Sequence, residues 1–396
     1  MACDDYDLLD ILEGIDGLFS PEELAQLNEI SSHFSNRYRS IYALGKAHFR
    51  FDVGTFIPER FQVLDDFKAK AEPLSEVVAK MLRSESHLDI NPNRIISYHG
   101  STRSCLDYVV DSIIGGTDQT LSFVLPNWHF WDLGDSLKNY GLDLFEAINE
   151  EQLVEGFKKK ANKGKIGVLI LSDPNTPLMY RLSSEALQEI DHIALDHGVD
   201  IVVDDVLRGV QPLGERESIA KHLTKPYIIE GFSKRFGEDA PLGSDTSYVV
   251  VPEGVDFISS NCLDESGGCD VLTGAVLKCL LDYLSEPILA EYERRNQAFD
   301  EGFYLNSDNG AKIMRPSPTH ITSLIELPSH INGFDFYEVM KSQGVFIFPM
   351  QGFYPEVEKA KVPSEIRNKI RFSVGQENPD RLLRAGQIIS DNILVW

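Results

Sequence analysis

Asp204 and Lys234, thirty positions apart, are residue types that can do chemistry together. An apolar run, Val199-Asp200-Ile201-Val202-Val203, ends in Asp204-Asp205. The next apolar run, Tyr227 to Phe232, leads into Ser233-Lys234-Arg235. A lysine whose pKa is lowered by desolvation or by a nearby cation can form a Schiff base with an aldehyde, and Arg235 is such a cation. A carboxylate at the end of a buried strand needs a cationic partner. A protonated pyridine ring would be one. The pair is therefore the minimal set for holding pyridoxal phosphate: the lysine binds the aldehyde and the acid keeps the ring nitrogen protonated, so that the ring serves as an electron sink. Read singly, Lys234 is a solvated surface lysine, and Asp204 or Asp205 caps a loop.

Four further features sit where short apolar runs end or within one of them. Gly100-Ser101-Thr102 follows Arg94–Tyr98 and opens a helical pattern; two hydroxyls at a helix N-terminus suit a phosphate, or simply cap the helix. Trp128 follows the run 120–125 and could stack on a flat ring or pack in the core, with His129 and Trp131 as competitors. Ser172-Asp173-Pro174-Asn175-Thr176-Pro177 reads as a rigid turn in which Asn175 or Thr176 could donate to a phenolate oxygen. Arg371, within Ile370–Val374, could clamp a substrate carboxylate or form a surface ion pair. Each is ordinary alone; their joint order along the chain carries the weight.

The elements that must position these residues follow from periodicity. Strands are expected at 94–98, 120–125, 166–172, 199–204, 226–231 and 246–252, with helices at 103–114, 129–140 and 183–197 between them. That alternation predicts an α/β domain whose mostly parallel sheet is sandwiched by helices. Residues 5–50 and 61–84 read as helical. A long helix is expected over 273–301 with a break near Pro287. Beyond it, strands at 320–327, 345–349 and 368–374 and helices at 334–342 and 378–393 predict a smaller α+β domain. The expected partition is 1–60 as an N-terminal part of the small domain, 61–285 as the large domain and 286–396 as the rest of the small one.

Composition excludes several classes. The chain has 396 residues, 37 basic and 62 acidic, and a net charge of −25, which opposes a general affinity for nucleic acid or anionic membranes. Five cysteines without a C-x-x-C pair support neither a disulfide framework nor a zinc site, and they fit a reducing cytoplasm. The acidic N-terminal residues are unlike a targeting leader, and no apolar run reaches membrane-span length. No G-x-G-x-x-G follows an early strand, and G-x-x-x-x-G-K-[ST], H-E-x-x-H and G-x-S-x-G are absent.

Over roughly residues 50–375 the chain resembles the class I/II aminotransferases, the fold-type I pyridoxal-phosphate enzymes. The resemblance implies a cofactor held by Lys234 and Asp204, Ser101 and Thr102 at the phosphate, Trp128 on the ring and Arg371 on the substrate α-carboxylate. Phe51-Asp52-Val53-Gly54 is similar to the family's early substrate-side strand, with Gly54 at its glycine. Ser233 and Asn175 join the cofactor set. The resemblance also implies a homodimer with active sites at the subunit interface. Three places depart from the family pattern. Thr176 stands where the second Asn of the turn contacts the cofactor O3′, with Asn175 one residue off. Leu207 replaces a Tyr that also reaches O3′. Leu242 replaces a phosphate-binding Arg, for which Arg235 is the expected substitute. The implied activity is an aminotransferase of specialised amino-acid metabolism. Alternatives are a non-transaminating enzyme of the same fold (elimination or replacement, side-chain cyclisation, oxidation) or a catalytically reduced binding protein.

Overall fold

The computed structural model describes residues 72–99, 102–115, 122–126, 142–164, 166–236, 246–255, 269–305, 309–353, 362–375 and 377–396. The expected helices at 5–50 and 129–140, and the candidate residues Gly54, Ser101 and Trp128, lie outside them.

A seven-stranded sheet forms the larger layer. Its strands are β1 (Ile95–His99), β2 (Ser122–Pro126), β3 (Leu142–Phe145), β4 (Ile166–Ser172), β5 (Asp200–Asp204), β6 (Pro226–Gly231) and β7 (Thr246–Val250), in the order β1-β7-β6-β5-β4-β2-β3. Only β7 runs antiparallel to its neighbours. β4 and β5 are mostly aliphatic, and β6 and β7 are buried at every residue, because helices cover both faces of such a sheet. Helix α1 (Leu74–Ser86) presents Leu74, Val77, Val78, Met81 and Leu82 to the core at helical spacing. Helix α2 (Thr102–Gly115) follows β1, and α3 (Glu150–Ala161) is capped by Asn149, whose side chain accepts from the Gln152 N–H. Helix α4 (Ser184–His197) starts on a Ser183 cap, whose side chain accepts from the Ala186 N–H. Lys234 lies on α5 (Ser233–Phe236), a single turn.

Helix α6 (Cys269–Phe303) runs unbroken through Pro287, so the expected break does not occur. An interior proline costs about 3 kcal/mol. Both hydrophobic cores hold this helix: Leu277, Leu280, Ile288, Leu289 and Tyr292 pack in the large one, and Phe299 and Phe303 in the small one. The change from one core to the other falls between Tyr292 and Phe299. The small layer is an antiparallel sheet of β8 (Lys312–Met314), β9 (Thr322–Glu326), β10 (Phe348–Pro349) and β11 (Lys369–Ser373), ordered β10-β11-β9-β8. Helices α7 (Gly333–Ser342), α8 (Ser364–Arg367) and α9 (Pro379–Val395) complete it.

β3 and β8 were outside the expected elements. Both are short edge strands, and neither carries an apolar run that would announce it. No helix among the described residues is long and apolar enough to cross a membrane.

α6 and α9 cross in backbone contact. A Cβ on Gly302 would lie 2.0 Å from the Leu383 carbonyl oxygen, and one on Gly386 2.4 Å from that of Phe299. Gly302→Ala must therefore push the helices apart. The expected cost is about 2 kcal/mol, to be read from the urea midpoint against wild type, with Gly214→Ala, whose Cβ meets nothing within 4 Å, as the control.

Candidate active site

Strand register brings the candidate residues to one edge of the large sheet. Ser172 on β4 pairs with Asp204 on β5, and Asp204 with Ile229 on β6. The turn after β4, Asp204 and the Ser233–Lys234 turn thus leave the sheet side by side. β1 is parallel to β6, because both pair antiparallel with β7. Its carboxyl end therefore sends the N-terminus of α2 to the same edge. Thr102 closes over β6 there: a Cβ on Gly231 would stand 2.8 Å from the Thr102 methyl. Glycine at 231 lets the helix start approach the strand that leads to the lysine.

Asp204 has no salt-bridge partner within contact distance among the described residues. Its Oδ1 accepts from the Val206 N–H at 3.4 Å. Burial pushes its carboxyl up to about 6, against the opposing effects of that hydrogen bond and of the charge on Lys234. Among the described residues, the charge that acts on its ionised form is that of Lys234.

The turn after β4 contains two cis X-Pro bonds, Asp173-Pro174 and Thr176-Pro177. Asn175 is fixed through its main chain, its N–H donating to the Tyr180 carbonyl at 2.8 Å and its carbonyl accepting from Met179 at 2.6 Å. Its side-chain Oδ1, an acceptor, is buried without a partner among the described residues. The Thr176 hydroxyl, expected by register at O3′, donates to the Pro174 carbonyl at 3.4 Å. Leu207 is buried in the large core.

Arg371 lies on β11, opposite Leu324 of β9 and Phe348 of β10. It is 3% exposed, so it does not form a surface ion pair. Its guanidinium sits 5.5 Å from the Phe353 ring centre, its Nε is unpartnered, and it meets no carboxylate among the described residues. Burial pulls its pKa down to about 10.

Arg235 requires a correction. Expected at a phosphate, it is instead buried against Glu85 of α1, with Nη1 3.1 Å from the Met81 sulfur and its guanidinium over the Phe236 ring. Gly209, whose Cβ would stand 3.0 Å from the Arg235 side chain, leaves room for its stem. Glu85 is a hub that sequence reading missed. It also meets Arg216 at 2.8 Å and Arg208 at 3.4 Å. Arg208 continues to Asp205 at 3.1 Å, Ser86 at 2.6 Å and Glu230, which Tyr248 also contacts. A signal existed: Glu85 falls three and four residues after Leu82 and Met81, inside the apolar stripe of α1, where a charge needs a buried partner. Tyr292 of α6 was missed as well; its hydroxyl donates to the Lys234 carbonyl at 3.0 Å. His320 is fully buried with Nε2 unpartnered, and burial, aided by the charges of Arg371, Arg315 and Arg181, lowers its pKa to about 4. No group of three His, Cys, Asp or Glu among the described residues could hold a metal.

No family model matches the sequence. The valine–pyruvate aminotransferase of Escherichia coli is 22% identical over 374 residues, covering 87% of this chain and 85% of that protein. An aspartate aminotransferase of Musicola paradisiaca is 23% identical over 192 residues, 47% of each chain, so this match spans about half of that relative. Among solved structures, the pyridoxal-phosphate-bound C-S lyase of Staphylococcus hominis superposes with a TM-score of 0.65 at 15% identity, covering 92% of this chain and 91% of that one. The fold is that of the fold-type I pyridoxal-phosphate enzymes, and by sequence the chain is similar, at 22–23% identity, to two aminotransferases.

The Glu85 hub sets an expected pH response. Burial raises the Glu85 pKa, but the charge and hydrogen bond of Arg235, with Arg216 and Arg208, outweigh it and hold the carboxyl at about 2 against an ordinary 4.5. Its folded pKa is depressed, so its contribution is complete above about pH 4.5 and is lost as pH falls toward 2. Glu85→Gln should lower stability at neutral pH by about 3 kcal/mol and flatten the loss over that window. Urea unfolding of both proteins at several pH values is the check, and parallel curves would contradict it.

Proposed function

We propose that this chain is a pyridoxal-phosphate enzyme acting on an α-amino acid, most simply as an aminotransferase. The observation that carries it is Asp204: a carboxyl at a strand end, raised by burial, within electrostatic reach of Lys234 and without a salt-bridge partner among the described residues. A pyridinium N–H would supply the missing cation. Thr102 and Ser233, at the starts of α2 and α5, would face the phosphate together with Ser101. Asn175 would face the ring's phenolate oxygen, and Trp128 its plane.

When bound, pyridoxal phosphate supplies an electron sink for the pair left behind when an α-proton departs. The protein's share is orientation and proton handling. Lys234 would hold the cofactor aldehyde through Nζ, and its amine would be released when substrate binds. Arg371 holds the α-carboxylate through its guanidinium, whose desolvation strengthens that contact. The Lys234 Nζ would then be the base placed to take the substrate α-proton and hold it for return. Asp204 would accept from the ring nitrogen and, in its ionised form, favour that nitrogen's protonation.

A second reading has a specific basis. Leu207 is buried where the family carries a phenol at O3′, and Leu242 stands at its phosphate arginine. Altered donors at O3′ change the electronic balance of the ring. Elimination or replacement, cyclisation and oxidation share the first proton removal, and a C-S lyase is among the structural neighbours. Our reading includes a homodimer in the cytoplasm, with 61–285 and 286–396 as the principal domains. It rests on the family resemblance and on cysteine usage.

A visible absorption spectrum after adding pyridoxal phosphate tests the proposal. Wild type should show a band that borohydride abolishes; Lys234→Ala should not. Asp204→Asn should retain the band with activity reduced on the order of a hundredfold. A wild-type protein that acquires no band, or full turnover by Lys234→Ala, would overturn it. Ammonia release without a 2-oxo acid half-reaction would favour the second reading.

A further inference from the structure

Lys234 stands on a helix that cannot hold itself. α5 is one turn long, and one turn fixes several dihedral angles for too few hydrogen bonds. The carbonyls at its end lack intrahelical partners. The Lys234 carbonyl finds one in Tyr292, whose hydroxyl donates to it at 3.0 Å. Tyr292 is fully buried, and burial raises its pKa well above the ordinary value, so the hydroxyl stays protonated and remains a donor.

Three and four residues further along α6, the same stretch reaches the small domain. Arg295 Nη1 donates to the Gly375 carbonyl at 2.6 Å. Asn296 Nδ2 donates to the carbonyls of Pro318 and His320, at 2.8 and 2.9 Å. Gly375 lies two residues beyond β11, the strand of Arg371. His320 lies two residues before β9, which pairs directly with β11. The i, i+3 and i+4 spacing places Tyr292, Arg295 and Asn296 around adjoining parts of one helical turn. All four of these bonds end on main-chain carbonyls, so they fix backbone. Arg295 is itself braced by Glu291 at 2.7 Å.

We infer that this turn of α6 is a positioning device that sets Lys234 relative to Arg371, with Tyr292 pinning the lysine and Asn296 and Arg295 pinning the strand ends around the guanidinium. The inference deepens the functional reading above and rests on it. For that chemistry the amine must meet the α-carbon while the carboxylate is held several bonds away, and small misplacements lower rate steeply. Tyr292 and Asn296 touch neither reacting group; they act through Lys234 and through the strands.

Hydrogen exchange on the cofactor-free protein reads the device without any chemistry. In wild type the amides of 233–236 should be protected to the same degree as those of 289–296. A lysine turn that exchanges freely beside a protected α6 would overturn the link. Tyr292→Phe removes one oxygen and should raise exchange at 233–236 at least tenfold while β6 is unchanged. In the same variant loaded with pyridoxal phosphate, the pH titration of the visible band should move. With the standard amino acid that wild type converts fastest, kcat should fall about tenfold with KM within about twofold. Asn296→Ala should show the opposite split, a KM raised about tenfold with the band titration unmoved. Melting temperatures identify any variant that has merely lost its fold. A folded Tyr292→Phe with wild-type exchange, titration and kcat overturns the proposal. If wild type acquires no borohydride-sensitive band, the functional reading fails, and the exchange measurement still decides whether α6 holds the turn.

Discussion

One carboxylate shared by three guanidiniums organises the edge of the sheet where the candidate site lies. Arg208 and Arg216 come from the segment after β5, and Arg235 from the turn after β6; Glu85 of α1 meets all three. Buried ion pairs of this kind contribute little net stability compared with apolar packing, but removing one member strands the others in a low-dielectric interior. The hub therefore acts as a constraint. It ties the loop that follows Asp204 and the turn that carries Lys234 to one helix. Arg235 is the direct link, since it follows the lysine in sequence and lies inside the hub in space.

That arrangement leaves a distinctive distribution of charge. The hub is crowded with counter-ions, while among the described residues Asp204, next to Asp205 in the chain, has none beyond the field of Lys234. Arg371, across in the small sheet, is buried without an anion among the described residues. Asp205, Arg208 and Arg235 pair with one another and with Glu85 and Glu230, while in the proposed function Asp204 and Arg371 are the groups that meet cofactor and substrate. An aromatic cation and a carboxylate are the complements they require, and the proposed cofactor and substrate supply them.

The two layers meet through α6. Its first part belongs to the large core and its last to the small one, and the turn between bears hydrogen bonds to both. The α9 helix lies against it so closely that only glycine fits at 302 and 386. Continuity of this helix through Pro287 matters in that light, because a break there would uncouple Tyr292 from the earlier turns packed in the large core. Packing on both sides outweighs the local preference of one residue.

Much of the fold was legible because its signals are local. Alternation of aliphatic runs with helical patterns located β1, β2, β4 to β7 and α4, and the spacing of Asp204 and Lys234 at successive strand ends pointed to their chemistry. Edge strands β3 and β8 have no such run and left no trace. The fate of Arg235 was equally hidden. From the sequence it is a cation beside a lysine, and its partner lies 150 positions upstream. The choice between Asn175 and Thr176 could not be made by counting residues, since it depends on which side chain the turn consumes internally. The sequence by itself thus determined the order of elements and the residue types at the strand ends, because periodicity and strand termination are encoded by neighbours a few residues apart. Which of those residues are spent on each other, and which are left open, only the tertiary structure decided, because burial and charge pairing depend on segments far apart in the chain that meet only when it folds.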